Sequence, residues 1–127
     1  MAFSITGIAI GFLWHNWYPA RVYMGDSGAY FLGFLLAVLA IRLRPVDSPQ
    51  AIGVVIAILL LLLPLVDTTY VVISRLRRGV PPFTAGRDHL SHVLQNRGAS
   101  VPVSVLALMG LPVASSAAAV VLVVLAR

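Results

Sequence analysis

The residues able to do polar chemistry are few and fall mainly in two stretches. The first reads His15-Asn16-Trp17-Tyr18-Pro19-Ala20-Arg21-Val22-Tyr23-Met24-Gly25-Asp26-Ser27-Gly28. Asp26 lies between two glycines, one residue before an apolar run, and two readings stay open. In one, Asp26 or Ser27 caps a helix by accepting hydrogen bonds from the free amides of its first turn. In the other, Asp26 is a functional carboxylate at a membrane edge, with small neighbours that let a phosphate or a metal approach. A carboxylate so near hydrocarbon is costly, which favours a function or a dedicated partner. The string Gly25-Asp26-Ser27-Gly28 also mimics a serine-protease nucleophile region, but the apolar helix that follows cannot build such a site.

The second stretch reads Gly79-Val80-Pro81-Pro82-Phe83-Thr84-Ala85-Gly86-Arg87-Asp88-His89-Leu90-Ser91-His92-Val93-Leu94. Helical spacing over 87–96 puts Leu90, Val93 and Leu94 on one face and Asp88, His89, His92 and Gln95 on the other. That pattern fits an interfacial helix with its histidines turned to a polar site, or an ordinary surface helix with solvated histidines. As a metal site it is weak, because two His at i,i+3 and one Asp lack further ligands. Arg87 with His89 and His92 is better suited to phosphate oxygens. Asp88 is expected to pair with a neighbouring Arg. Asp67 stands apart, just past Pro64, with Val71, Ser74 and Arg78 on its helical stripe. Its plainest role is a contact with an interfacial Arg.

The elements that position these residues follow from composition. Of 127 residues, 60% are hydrophobic and 10% charged, with a mean hydropathy of +0.98. Soluble domains carry about a quarter charged residues, so this chain lacks the polar surface of a soluble globule. High apolar content excludes disorder, and the absence of Cys excludes a disulfide scaffold and thiolate or redox chemistry. The net charge of +5 comes from nine Arg against four Asp. The Arg residues sit at the ends of apolar runs, which marks the cytoplasmic side of a bilayer rather than a nucleic-acid surface.

A bilayer core of about 30 Å needs about 20 helical residues. Four uncharged stretches are read as spans: 1–14, 27–41, 48–66 and 98–126. The first has no basic leader or small-residue cleavage site, so it does not read as a signal peptide. The second is short, and Arg42 and Arg44 can snorkel outward from it. The third continues past Asp67 without a breaker until Gly79, which predicts one helix over 50–78. That helix would be about 43 Å long and project from the bilayer, with Pro64 as a possible bend. The fourth contains Pro112 as a predicted kink. The expected architecture is therefore all-α: a polytopic membrane protein with about four spans, the third extending into the cytoplasm, plus a short interfacial helix. Arg21, Arg75, Arg77, Arg78, Arg87 and Arg97 lie in the first and third connections. Arg42, Arg44 and Arg127 lie on the other side, so both polar loops are expected to be cytoplasmic.

Three ordered motifs resemble one family. Asn16-x-x-Pro19-Ala20-x-x-x-Met24-Gly25-Asp26-Ser27-Gly28 with Leu32-Gly33 is similar to the polyprenyl-phosphate N-acetylhexosamine-1-phosphate transferases. So are Pro64-x-x-Asp67-Thr68 with Arg75-x-Arg77-Arg78-Gly79, and Arg87-x-His89-Leu90-x-His92-x-Leu94. The group includes phospho-N-acetylmuramoyl-pentapeptide translocases and enzymes that load N-acetylglucosamine phosphate onto undecaprenyl phosphate. The resemblance implies a multi-pass inner-membrane enzyme, active in cell-wall or surface-polysaccharide synthesis. It moves a sugar 1-phosphate from a UDP-N-acetylhexosamine to a polyprenyl phosphate, releasing UMP with Mg²⁺ as cofactor. It implies Asp26 as the catalytic, metal-holding carboxylate and Arg87, His89 and His92 as the phosphate-binding groups, with Asn16 and Asp67 in supporting roles.

Two departures qualify it. Ser91 replaces the middle His of the usual His-x-His-His. The adjacent Asp pair of the family's first half has no match, so the whole chain, 1–127, resembles the C-terminal part of one transmembrane transferase domain. Such a part implies an N-terminal half or a second membrane subunit as partner, no nucleic acid, and no activity from the chain alone. The contrasting class is a non-catalytic membrane protein that keeps the fold and associates with other helices.

The Arg asymmetry makes a topological prediction. Single cysteines at Ala85 or Ser91 should react with impermeant reagent only from the cytoplasmic side of inverted vesicles, and labelling from the periplasm would overturn the shared orientation of the two loops.

Overall fold

A computed structural model of the chain describes residues 2–43, 45 and 47–126. The expected roles of Arg44 and Arg127, and the start of the first span at Met1, lie outside them. Helices and loops make up all of the described residues. In order these are α1 (Ala2–Asn16), α2 (Gly25–Arg42), α3 (Gln50–Leu60), α4 (Leu62–Arg77), α5 (Leu90–Asn96) and α6 (Val101–Leu125).

Helices α2 and α6 are each long and apolar enough to cross a membrane, and α3 with α4 qualifies together as one broken span. The 15 residues of α1 cover about 22 Å. The predicted unbroken helix over 50–78 is not what forms. It breaks at Leu61, and α3 and α4 meet at a bend of 71°. Pro64 supplies the cause: it has no N–H for the Leu60 carbonyl, and its ring crowds that carbonyl. Pro112, by contrast, sits inside a continuous α6.

Two helix ends follow glycine chemistry. After α4, the Gly79 amide bonds the Leu76 carbonyl and the Val80 amide reaches back to Arg75. After α5, Gly98 bonds Gln95 and Ala99 bonds Leu94 in the same pattern. Both glycines take left-handed backbone, with φ of 68° and 97°, as this helix-ending motif requires.

Helix α6 is the hub, packed against α3, α4 and α5, while α2 touches α1 and α3. Ser104, Ser115 and Ala119 are the buried residues of α6, and Ile56 is fully buried on α3. Small residues let neighbouring helix backbones approach closely, which is how helices associate where lipid removes the hydrophobic drive. The Ser104 hydroxyl satisfies itself on the Ser100 carbonyl at 3.0 Å. Outside this seam most apolar side chains are exposed, as expected of a surface meeting lipid or further helices.

Overpacking the seam is testable. Ser104→Leu should destabilise the fold by about 1–3 kcal/mol, read from helicity lost during denaturing-detergent titration, whereas the exposed neighbour variant Val103→Leu should stay within about 0.5 kcal/mol of the parent.

Candidate functional site

Helix α4 presents one stripe to the second polar loop: Asp67, Val71, Arg75 and Arg78. Val71 and Arg75 on that stripe are buried. Arg75 donates through Nε to Asp88 Oδ2 at 2.9 Å and through Nη1 to the Pro82 carbonyl at 2.6 Å. Arg78 donates from Nη2 to Asp88 Oδ1 at 2.6 Å. The Asp88 carboxylate is thus gripped on both oxygens, by Arg75 and Arg78. Hydrogen bonds from Arg78 and then Arg75 hold its carboxyl below the ordinary value of 3.8. Charged donors favour the ionised form.

Gly86 belongs to this grip. A Cβ at that position would lie 2.7 Å from Asp88 Oδ2 and 3.2 Å from Arg75 Nη2. A side chain there would have to displace the Asp88 carboxylate from its present place beside Arg75.

The next two residues are held by a different group. Asp67 Oδ1 accepts the Leu90 amide at 2.7 Å, and Asp67 Oδ2 lies 2.6 Å from His89 Nδ1. Asp67 does not make the expected contact with an interfacial Arg; Arg78 turns to Asp88 and to its own helix at the Ser74 carbonyl. The predicted helix over 87–96 also starts later, at Leu90. His89 has extended backbone, with ψ of 152°, because Asp88 and His89 are drawn onto α4 instead of winding. The amide that a local side chain would normally cap is capped by Asp67. His92 is half-buried on α5, and Arg87 is exposed with no bonded partner among the described residues. Ser91 and Asp67 share a hollow of about 260 Å³ with Leu63, Pro64 and Leu108.

The first polar loop is braced by Asn16, whose side-chain amide donates to the Val22 carbonyl at 2.7 Å, and by the Arg21 amide on the His15 carbonyl at 2.9 Å. Asp26 lies in the first turn of α2, where a negative charge favours the helix dipole. The cap reading does not hold: α2 starts at Gly25, and no side chain caps it. Asp26 is exposed and bonds to none of the described residues. Trp17, Tyr18 and Tyr23 of this loop share a hollow of about 310 Å³ with Val101, Pro102 and Val105 at the start of α6. Since α6 begins where the second loop ends, both polar loops lie at one end of the bundle. No described hydrogen bond or ion pair links Asp26 to Asp67, Arg87, His89 or His92. No group of three or more metal-ligating His, Asp or Glu forms among the described residues.

Arg75 and Gly86 are the residues that sequence reasoning missed. Arg75 looked like one more interfacial cation. The available signal was its place on the Asp67 stripe, together with a glycine two residues before Asp88.

Residues 1–44 match the family profile described as glycosyl transferase family 4. A Bacillus subtilis protein named a probable undecaprenyl-phosphate N-acetylglucosaminyl 1-phosphate transferase is 34% identical over 124 residues, 96% of this chain and 34% of that protein. A Mycolicibacterium smegmatis decaprenyl-phosphate N-acetylglucosaminephosphotransferase is 29% identical over 76% of this chain and 26% of its own length. A Porphyromonas gingivalis phospho-N-acetylmuramoyl-pentapeptide-transferase is 54% identical over 43 residues, 34% of this chain and 10% of that protein. No solved structure matches. These similarities relate the chain to glycosyl transferase family 4, by the profile over residues 1–44 and by a Bacillus relative alignable with nearly all of it. It spans about a third of the length of the Bacillus relative and less of the others.

The depressed Asp88 carboxyl fixes the sign of a pH effect. A group whose folded value lies below its free value stabilises fully above that free value, 3.8, and the contribution is lost as pH falls further through the folded value. A spin label at Thr84 should therefore be immobile at pH 7 and loosen below about pH 4, and Asp88→Asn or Gly86→Ala should loosen it already at pH 7.

Proposed function

We propose that this chain is the C-terminal part of a membrane enzyme that transfers N-acetylhexosamine 1-phosphate from a UDP-sugar to a polyprenyl phosphate. The observation that carries this reading is the second loop. It is pinned to α4 at three consecutive residues, 88–90, yet leaves Arg87 and His89 exposed in a chain whose relatives are named for such transfers.

In the reaction an oxygen of the lipid phosphate attacks the sugar-bearing phosphorus. The bond from that phosphorus to the bridging oxygen breaks, and UMP departs with that oxygen and its electron pair. The product is a lipid-diphosphate sugar. Catalysis of this kind is mostly positioning and stabilisation of spread negative charge. Arg87, with no carboxylate partner among the described residues, serves as a forked donor to the diphosphate. His89 and His92 bind its remaining oxygens.

Mg²⁺ usually takes one or two carboxylates and fills its shell with substrate oxygens and water. Asp26 fits that need, being exposed and uncommitted, whereas Asp67 and Asp88 are both engaged within the fold. When bound, the ion neutralises charge on the departing nucleotide. The remaining carboxylates come from outside residues 1–127, in an N-terminal half or a second membrane subunit. In this reading α1, α2, the broken α3–α4 pair and α6 make four passes of the inner membrane, with both polar loops in the cytoplasm.

In a complete transferase carrying this segment, Asp26→Asn should lower the rate of labelled sugar-phosphate incorporation into lipid by at least about a hundredfold. The purified 127-residue chain should be inactive alone and active only when co-assembled with the missing part. Parental turnover in Asp26→Asn would remove the metal role from this carboxylate.

A further inference from the structure

We infer that Asp67 is a positioning residue: it fixes the tautomer of His89, so that Nε2 is the ring nitrogen offered to substrate phosphate. The inference rests on the reading of His89 as a phosphate-handling group and adds the residue through which that group is prepared.

The geometry is a carboxylate split between two tasks. One oxygen takes the Leu90 amide at 2.7 Å, which fixes where α5 begins and hence where His89 stands. The other lies 2.6 Å from His89 Nδ1. An ionised carboxylate only accepts hydrogen bonds, so this contact puts the imidazole hydrogen on Nδ1. In a neutral ring Nε2 then carries the lone pair. It has no partner among the described residues, and the His89 side chain is 52% exposed. Between two anions, the Asp67 carboxylate at Nδ1 and a phosphate oxygen at Nε2, the ring binds as the imidazolium, donating from both nitrogens. The same division of labour orients the imidazole in carboxylate–histidine pairs elsewhere.

Asp67 is set up for this role by its place on α4. The break at Leu61 starts a new helix, and Asp67 lies in its second turn with its carboxylate shared between the His89 imidazole and the Leu90 amide. It is separated by 22 residues from the imidazole it holds, so the pairing is made by the fold and not by local spacing.

Asp67→Asn separates positioning from capping. The amide oxygen can still accept the Leu90 N–H, while the amide nitrogen can only donate to Nδ1 and so favours hydrogen on Nε2. Long-range ¹H–¹⁵N spectra of the histidine-labelled 127-residue chain in micelles read the tautomer without any activity. The expected result is Nδ1–H for neutral His89 in the parent and Nε2–H in Asp67→Asn, with His15 unchanged. Nε2–H in the parent, or an unchanged tautomer in the variant, overturns the positioning role. Should Asp67→Asn fail to fold, the parent spectrum alone decides. In a complete transferase, Asp67→Asn should lower kcat by about 10- to 100-fold. In a His89→Gln background it should cost less than about threefold, because the two groups act as one unit. Full additivity would leave Asp67 a cap only. Parental turnover in His89→Gln with the tautomer shift intact would instead overturn the phosphate reading.

Discussion

Two hydrogen bonds to one carboxylate decide the geometry of the polar end of this molecule. Asp67 receives the first amide of α5 and stands against the imidazole of the preceding residue. Without that acceptor, a seven-residue helix would begin with an unsatisfied donor and little of its own cooperativity to sustain it. With it, α5 is nucleated on α4, and α6 follows after a glycine-terminated turn. The packing of α6 on α3 and α4 then closes the arrangement. The ion pairs of Asp88 with Arg75 and Arg78 act one residue earlier and hold the incoming loop. Their weight comes from Arg75, whose side chain is only 7% exposed. A buried guanidinium left unpaired is costly, so this grip is enforced by the expense of breaking it more than by the strength of its attraction.

The bend at Leu61 is what brings these groups within reach. A straight continuation of α3 would carry Asp67 along the axis of that helix. The 71° turn redirects α4, so that its polar stripe runs beside the 79–90 segment. Pro64 provides the local reason for the break, by removing one donor at the third residue of α4. The size of the turn belongs to the tertiary packing of both halves against α6.

Much of this was legible one residue at a time. The glycine stop after α4 and the weak point at Pro64 follow from local rules; that Asp88 pairs with arginine follows from charge, though its partners lie 10 and 13 residues away on α4. The polar ends of the apolar runs were found for the same reason, since hydropathy and charge are local properties. What the sequence could not show was which partners meet across many residues. Helical spacing offers Asp67 only partners on its own helix, so it pointed to Arg78, whereas the actual partner lies 22 residues further on. The start of α5 was misplaced by three residues for the same reason: its cap comes from another helix, and no local residue announces it. Asp26 shows the reverse case. Its flanking residues suggested a cap, yet the helix begins before it and leaves its carboxylate uncommitted.

The four carboxylates of this chain divide between holding the fold and staying available, and that division sets the charge of the second loop. Arg87 is covalently next to Asp88, the nearest anion in sequence, and in an unstructured peptide the two would screen each other. Folding reassigns the anion. Arg75 and Arg78 take both Asp88 oxygens at 2.9 and 2.6 Å, in part because the missing side chain of Gly86 lets Arg75 approach. Arg87 is thereby stripped of its neighbour's charge and left exposed. In the proposed reading, this guanidinium, with no counterion among the described residues, is the group left for a substrate anion. The ion pairs of Asp88 therefore do two things at once: they fix the loop, and by engaging its carboxylate they leave Arg87 exposed without it.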